Sequence, residues 1–117
     1  GINLVVVDAS MTELMRPALY GAHHQVVPLL NAPEKRRVRY TVVGPVCEST
    51  DVLAKEVMLP DIQVGDYLAI LDVGAYGMVM SNNYNLRPRP AEWMVEADGS
   101  ARVVRPRQSF ESLIAEL

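Results

Sequence analysis

The sequence predicts a mainly β domain: an antiparallel β-sandwich or partly open barrel, with a short broken helix near the N-terminus and a short C-terminal helix. Three observations carry this. Residues 36–44 (RRVRYTVVG) alternate Val38, Tyr40 and Val42 with Arg37, Arg39 and Thr41, the period of a half-buried strand. Asp98-Gly99 stands between two β-like runs, a strong hairpin signal. About six strand-like runs follow one another through short loops without intervening helices, which disfavours a parallel βαβ sheet.

Taken in order, residues 3–8 (NLVVVD) form a strand because three consecutive valines fit a pleated surface better than a helix. Ser10 followed by Glu13 matches a capping box, so a helix is expected from about Met11 to Ala22. Pro17 interrupts it, leaving two short helical turns with Arg16 near the break. Residues 23–30 read as a strand ended early by Pro28, and residues 31–34 as a turn. Residues 51–59 tolerate either helix or strand. The near-continuous apolar run 67–73 (YLAILDV) reads as a buried strand, broken by Gly74-Ala75-Tyr76-Gly77. Residues 86–90 (LRPRP) form an extended connector. Residues 91–97 and 100–105 are the hairpin arms, and residues 109–117 close as an amphipathic helix with Phe110, Leu113 and Ile114 on one face.

The bulk numbers bound the class. At 117 residues the chain is one domain, 50% hydrophobic and 21% charged, with net charge −3. No apolar run approaches a membrane span, and no signal-peptide pattern opens the chain. It begins on a strand without an initiator Met, so a cut chain is expected. The short basic run 35–39 is too narrow for a nucleic-acid footprint and suits a solvated strand edge. A single cysteine excludes an internal disulfide and a Cys-based zinc cage, and fits a reducing, cytoplasmic setting.

The chemistry-bearing residues lie in two loops and one helical turn. Cys47 is either a small buried hydrophobe or an acid–base group or nucleophile, since a thiol titrates close to neutrality. His23 and His24, more than twenty residues upstream, are not aimed at it by any local pattern and are too few for a metal site. Glu48 cannot be core without a partner; it faces water or grips a cation. Arg16 and Tyr20, four apart, share a helical face and offer a guanidinium fork beside a phenol, or simply a surface arginine over a ring. Tyr76, bracketed by Gly74 and Gly77, sits where backbone can approach a ligand and a hydroxyl can meet phosphate, although a tight turn explains the same residues.

These segments in register resemble one family. Residues 7–11 (VDASM) with 16–20 (RPALY), then 44–49 (GPVCES), 72–77 (DVGAYG), 81–85 (SNNYN) and 87–90 (RPRP) closely resemble the C-terminal part of the diaminopimelate decarboxylases, and the match covers nearly the whole chain. Typical members carry Gly at the positions of Ser10 and Thr50. The resemblance implies a pyridoxal-phosphate-dependent carboxy-lyase of two domains, in which residues 1–117 are the C-terminal β-domain. The absent N-terminal α/β barrel would carry the cofactor lysine and the glycine-rich phosphate loop. Neither Lys35 nor Lys55 matches that lysine.

The resemblance also implies roles. Cys47 corresponds to the proton donor that reprotonates the α-carbon after CO2 leaves, and Glu48 to a carboxylate for the substrate's distal ammonium. Arg16 and Tyr20 correspond to substrate-binding positions, with Arg16 suited to the distal carboxylate. Tyr76 corresponds to a residue touching cofactor and substrate. Such enzymes are homodimers with the active site at the interface, acting in lysine biosynthesis on meso-2,6-diaminopimelate. This chain alone is expected to bind no cofactor and to be inactive. Two alternatives stay open: a same-fold decarboxylase of ornithine, arginine or carboxynorspermidine, and a non-catalytic β-domain that binds a partner. Ornithine-type members place Asp after the cysteine, which Glu48 argues against. Residues 3–8 are expected to lack a neighbour on one side and to favour self-association.

Overall fold

The alternating run at the centre of the sequence becomes the middle strand of the main sheet. In the computed structural model, which describes all residues 1–117, β3 (Arg37–Val43) lies between β1 (Asn3–Val6) and β4 (Val52–Pro60). Tyr40 and Val42 are buried while Arg37 and Arg39 are exposed, as the alternation requires. The segment of ambiguous period is β4, and the cause of the ambiguity is visible. Tyr40 pairs with Val57 but Val42 pairs with Ala54, so β4 carries one extra residue there. That residue count, with Glu56 at φ +54°, marks a β-bulge that shifts the inward-facing pattern between Leu53 and Leu59.

β1 and β3 run parallel, from Asn3↔Tyr40 to Val6↔Val43. The expected antiparallel pairing holds for β3 with β4, and this one parallel pair arises because the next strand leaves the sheet. β2 (Val26–Pro28) pairs antiparallel with β5 (Leu68–Ile70) in a second, two-stranded sheet. The connection between β1 and β3 is therefore a crossover, and it carries the first candidate residues. Within it, half of the Ser10–Glu13 capping box forms: the Ser10 amide donates to Glu13 Oε2 at 2.6 Å, while Ser10 Oγ accepts from the Thr12 amide at 3.0 Å and the Glu13 amide donates to the Ser10 carbonyl. The pair caps a tight turn rather than a helix. The helix itself, α1 (Arg16–Tyr20), starts at the expected break and not at Met11, because Pro17 falls in its first turn, where a missing N–H costs nothing. Gly21, at φ +64°, ends it in the left-handed conformation.

The core lies between the two sheets. Leu14, Val26, Val42 and Leu53 form its buried centre, with Val5, Val7, Leu68, Ile70 and Val73 packed around it. β5 is shorter and less covered than its apolar run suggests. Tyr67 is exposed and residues 68–70 are half-buried, because β5 pairs only with β2 and one of its faces is left open. A short helix, α2 (Gly77–Met80), and one 3-10 turn (Tyr84–Leu86) follow. The predicted hairpin forms as β6 (Glu92–Val95) and β7 (Ala101–Arg105). The last helix, α3 (Phe110–Ala115), is capped by Ser109 Oγ, which accepts from the Ser112 amide. Only Leu113 of its apolar face is buried; Phe110 and Ile114 stay about half exposed.

Only 15 of 117 residues are buried, so much of a chain that is half hydrophobic lies at the surface. The radius of gyration is 15.4 Å, against about 13 Å for a compact domain of this length. An open apolar groove of about 1230 Å³ is lined by Leu4, Val6, Val64, Tyr67, Trp93 and Met94 among others.

Candidate active site

The 44–51 loop is a closed structure built around a carboxylate. The Gly44 amide donates to the Asp51 carbonyl at 3.0 Å, closing its ends. The Asp51 side chain, buried to 3% exposure, accepts from two backbone amides: Met11 at 2.7 Å and Val46 at 3.1 Å. The loop is thereby fastened to the Ser10–Thr12 turn of the crossover. Gly44 is required for this geometry, since a Cβ there would stand 2.2 Å from Asp51 Oδ2. A further turn inside the loop, with the Asp51 amide donating to the Glu48 carbonyl at 3.0 Å, presents Cys47 and Glu48 at the rim. Cys47 is an exposed free thiol. Glu48 is half-buried and accepts from the Tyr84 hydroxyl at 3.2 Å. That hydrogen bond, then the negative charge of Glu48, raises the Tyr84 pKa above its ordinary value, with burial and the nearby Cys47 adding in the same direction.

A second cluster forms around Arg16. Its Nη1 lies 3.3 Å from His24 Nε2, and its guanidinium carbon stands 6.0 Å from the centre of the Tyr76 ring, within cation–π range. Arg16 is half-buried, while Tyr76 is exposed at the end of the loop that follows β5. Tyr20 shares α1 with Arg16 but is exposed and its hydroxyl has no hydrogen-bond partner. The structure thus brings Arg16 to Tyr76, and Cys47 and Glu48 to Tyr84. No hydrogen bond or ion pair joins these two clusters directly.

They are tied through the backbone behind them. The Asn82 amide, just past α2, donates to the Thr12 carbonyl at 3.0 Å. Both arginines of the 87–90 connector are structural: Arg87 reaches the Asp8 carbonyl at 2.7 Å and Glu13 at 3.3 Å, and Arg89 reaches the Ser81 carbonyl at 2.6 Å. Ser10 is fully buried and bonds through its hydroxyl to Thr12 and Glu13. Thr50 is exposed and its hydroxyl points at Met11 Sδ, 3.8 Å away.

Three residues of this arrangement escape sequence reasoning. Asp51 ends the cysteine segment, yet nothing local says that it is buried. Tyr84 becomes relevant only through a contact across thirty-six positions. His24 leaves a faint trace: of two adjacent histidines on a strand-like run one must face inward, and His24 is buried to 4% while His23 is exposed.

Residues 1–74 match the family model described as the pyridoxal-dependent decarboxylase C-terminal sheet domain. The chain belongs to this family. Among its relatives, the diaminopimelate decarboxylase of Aquifex aeolicus is 41% identical over 96% of this chain and 26% of its own length. That of Archaeoglobus fulgidus is 48% identical over the same shares. The crystal structure of diaminopimelate decarboxylase from Helicobacter pylori complexed with L-lysine superimposes with a TM-score of 0.88 at 40% identity, covering 97% of this chain and 27% of that one. The sheet domain therefore spans about a quarter of the length of the relatives it matches.

The side chains present suit one side of a pyridoxal phosphate. An exposed phenol, Tyr76, stands beside a guanidinium, groups that donate to phosphate or carboxylate oxygens. The amine that anchors such a cofactor is not among them. Lys35 donates to the Asp61 carbonyl at 3.2 Å, where β3 and β4 meet Arg37↔Pro60, and Lys55 is exposed in the middle of β4. No helix of the chain is long and apolar enough to cross a membrane.

Proposed function

We propose that residues 1–117 are the C-terminal β-domain of a two-domain diaminopimelate decarboxylase. As a cytoplasmic homodimer, that enzyme converts meso-2,6-diaminopimelate to L-lysine and CO2 in lysine biosynthesis. The observation that carries this is the pairing of an exposed thiol with a phenol-braced carboxylate on one rigid loop, in a chain whose relatives bear that name. L-lysine in the Helicobacter pylori structure supports a ligand with an amine at one end and a carboxylate at the other. An exposed thiol that must stay reduced supports the cytoplasm.

Pyridoxal phosphate, anchored by a lysine of the other domain, supplies the electron sink for the cleavage. Loss of CO2 would leave the α-carbon in need of a proton. Cys47 Sγ–H delivers the proton that this carbon takes up, and its exposure lets solvent restore the proton afterwards. Glu48, kept in place by the Tyr84 hydroxyl, accepts the distal ammonium. Arg16 has one nitrogen engaged by His24 and the rest of its fork free to take the distal carboxylate. Tyr76 donates its hydroxyl to cofactor or substrate oxygens, and Tyr20, unpartnered beside Arg16 on α1, serves the substrate too. Cys47 points outward and no bond links its cluster to Arg16 and Tyr76, which supports a loop that serves the neighbouring subunit's cofactor.

In the full-length holoenzyme, Cys47→Ala is expected to lower kcat by roughly 100-fold or more with little change in KM. Glu48→Gln is expected to raise KM for diaminopimelate. An unchanged kcat in the Cys47 variant overturns the assignment. Residues 1–117 mixed with pyridoxal phosphate are expected to release no CO2, and specific turnover would overturn the division into domains.

A further inference from the structure

We infer that His24 is a positioning residue that sets the Arg16 fork, held as the neutral imidazole with its hydrogen on Nδ1; this rests on the reading of Arg16 as the carboxylate grip. The tautomer follows from what each neighbour can do. Nδ1 lies 3.1 Å from the Leu71 carbonyl oxygen, which only accepts, so Nδ1 carries the hydrogen and donates. Nε2 lies 3.3 Å from Arg16 Nη1, which only donates, so Nε2 offers its lone pair. Both ring nitrogens are satisfied inside a site where the histidine is only 4% exposed, so both contacts are shielded from bulk solvent.

The far anchor is itself fixed. The Leu71 amide donates to the Gln25 carbonyl at 2.8 Å, next to His24 in the chain. Leu71 is followed by Asp72 at φ +59°, the turn that opens the loop bearing Tyr76. One imidazole thus connects the guanidinium to the backbone from which Tyr76 projects, and holds the two groups at their 6.0 Å separation. An arginine side chain has several soft torsions, and freezing them on substrate binding costs entropy. A lone pair already holding Nη1 removes part of that cost and leaves the remaining donors aimed outward.

The test compares two ligands of the full-length holoenzyme: L-lysine, which keeps a carboxylate, and 1,5-diaminopentane, which has none. Dissociation constants are read by calorimetry for wild type, Arg16→Ala, His24→Asn and His24→Gln. Asn keeps a donor where Nδ1 stood but loses the acceptor for Arg16. Gln can place its carbonyl oxygen where Nε2 stood. The expected result is that His24→Asn weakens L-lysine by about 5-fold and leaves the diamine unchanged, while His24→Gln restores most of the L-lysine affinity. Equal weakening of both ligands, or a lysine-to-diamine ratio unchanged in both His24 variants while Arg16→Ala alters it, overturns the positioning role and leaves the carboxylate grip standing. An unchanged ratio in Arg16→Ala overturns the grip itself, and the positioning role with it.

Discussion

The 44–51 loop and the β6–β7 hairpin are both short turns that carry a glycine and an aspartate, and they are held in opposite ways. In the hairpin every bond is local. Asp98 accepts from the Ser100 amide at 2.9 Å and from its hydroxyl at 2.6 Å, contacts that lower its pKa, and Arg102 and Arg105 pair with Glu96 and Glu92 across the ladder. Both of its faces are open, and Trp93 is 61% exposed. In the loop the aspartate is buried and one of its two bonds spans forty positions of chain. A turn that satisfies itself sets its own shape but is marginal as an isolated two-stranded ribbon. A turn that borrows donors from elsewhere has its shape imposed and becomes rigid, which is what a loop presenting an acid and a carboxylate needs.

The largest effect should come from breaking the loop's anchor. Asp51→Ala leaves the Met11 and Val46 amides without their acceptor, at a cost of about 3 kcal/mol in the stability of the full-length protein by denaturant unfolding. Gly44→Ala forces a Cβ against the same carboxylate and should cost about 2 kcal/mol. If both variants are as stable as the parent, the loop is not held as described. A smaller effect concerns pH. The folded Tyr84 pKa lies above its ordinary 10.0, so the Glu48 contact favours the folded state below that pH and is lost as pH rises through the folded value. Ultraviolet titration of Glu48→Gln, with Tyr84→Phe identifying the signal, should move the Tyr84 midpoint back toward 10.0.

The mildest perturbation is dilution. In the isolated chain Ile2, the adjoining Leu4 and Val6 of the open β1 edge, and Trp93 of the hairpin all meet solvent. Sedimentation should show association at high concentration, with the emission of the single tryptophan shifting to the blue as it does so. A strictly monomeric profile would show that these surfaces tolerate water.

The same contrast explains what was legible in the sequence. The hairpin, β3 and the Ser10–Glu13 contact are each specified by neighbours within a few residues; the first two formed as expected, and the contact formed but closed a turn instead of starting a helix. The parallel direction of β1 was not legible, because it depends on β2 joining a different sheet. The bulge in β4 blurred its own period. In the site, the family pattern pointed at Arg16, Tyr20, Cys47, Glu48 and Tyr76, but not at the residues that hold them. Asp51, His24 and Tyr84 act through contacts far apart in the chain, and single-sequence periodicity carries no record of those.

The parallel pairing of β1 with β3 also sets an order in time. Residues close in sequence can meet early, but Asn3 cannot dock beside Tyr40 until the whole crossover between them has been drawn into a loop. That crossover holds Arg16 and His24. The antiparallel β3–β4 ladder, joined by the 44–51 loop, has the shorter closure and the smaller entropic barrier. The β3–β4 ladder is therefore expected to gain amide-exchange protection first during refolding, and the arginine side, with the Met11 anchor of the 44–51 loop, only once the crossover has docked.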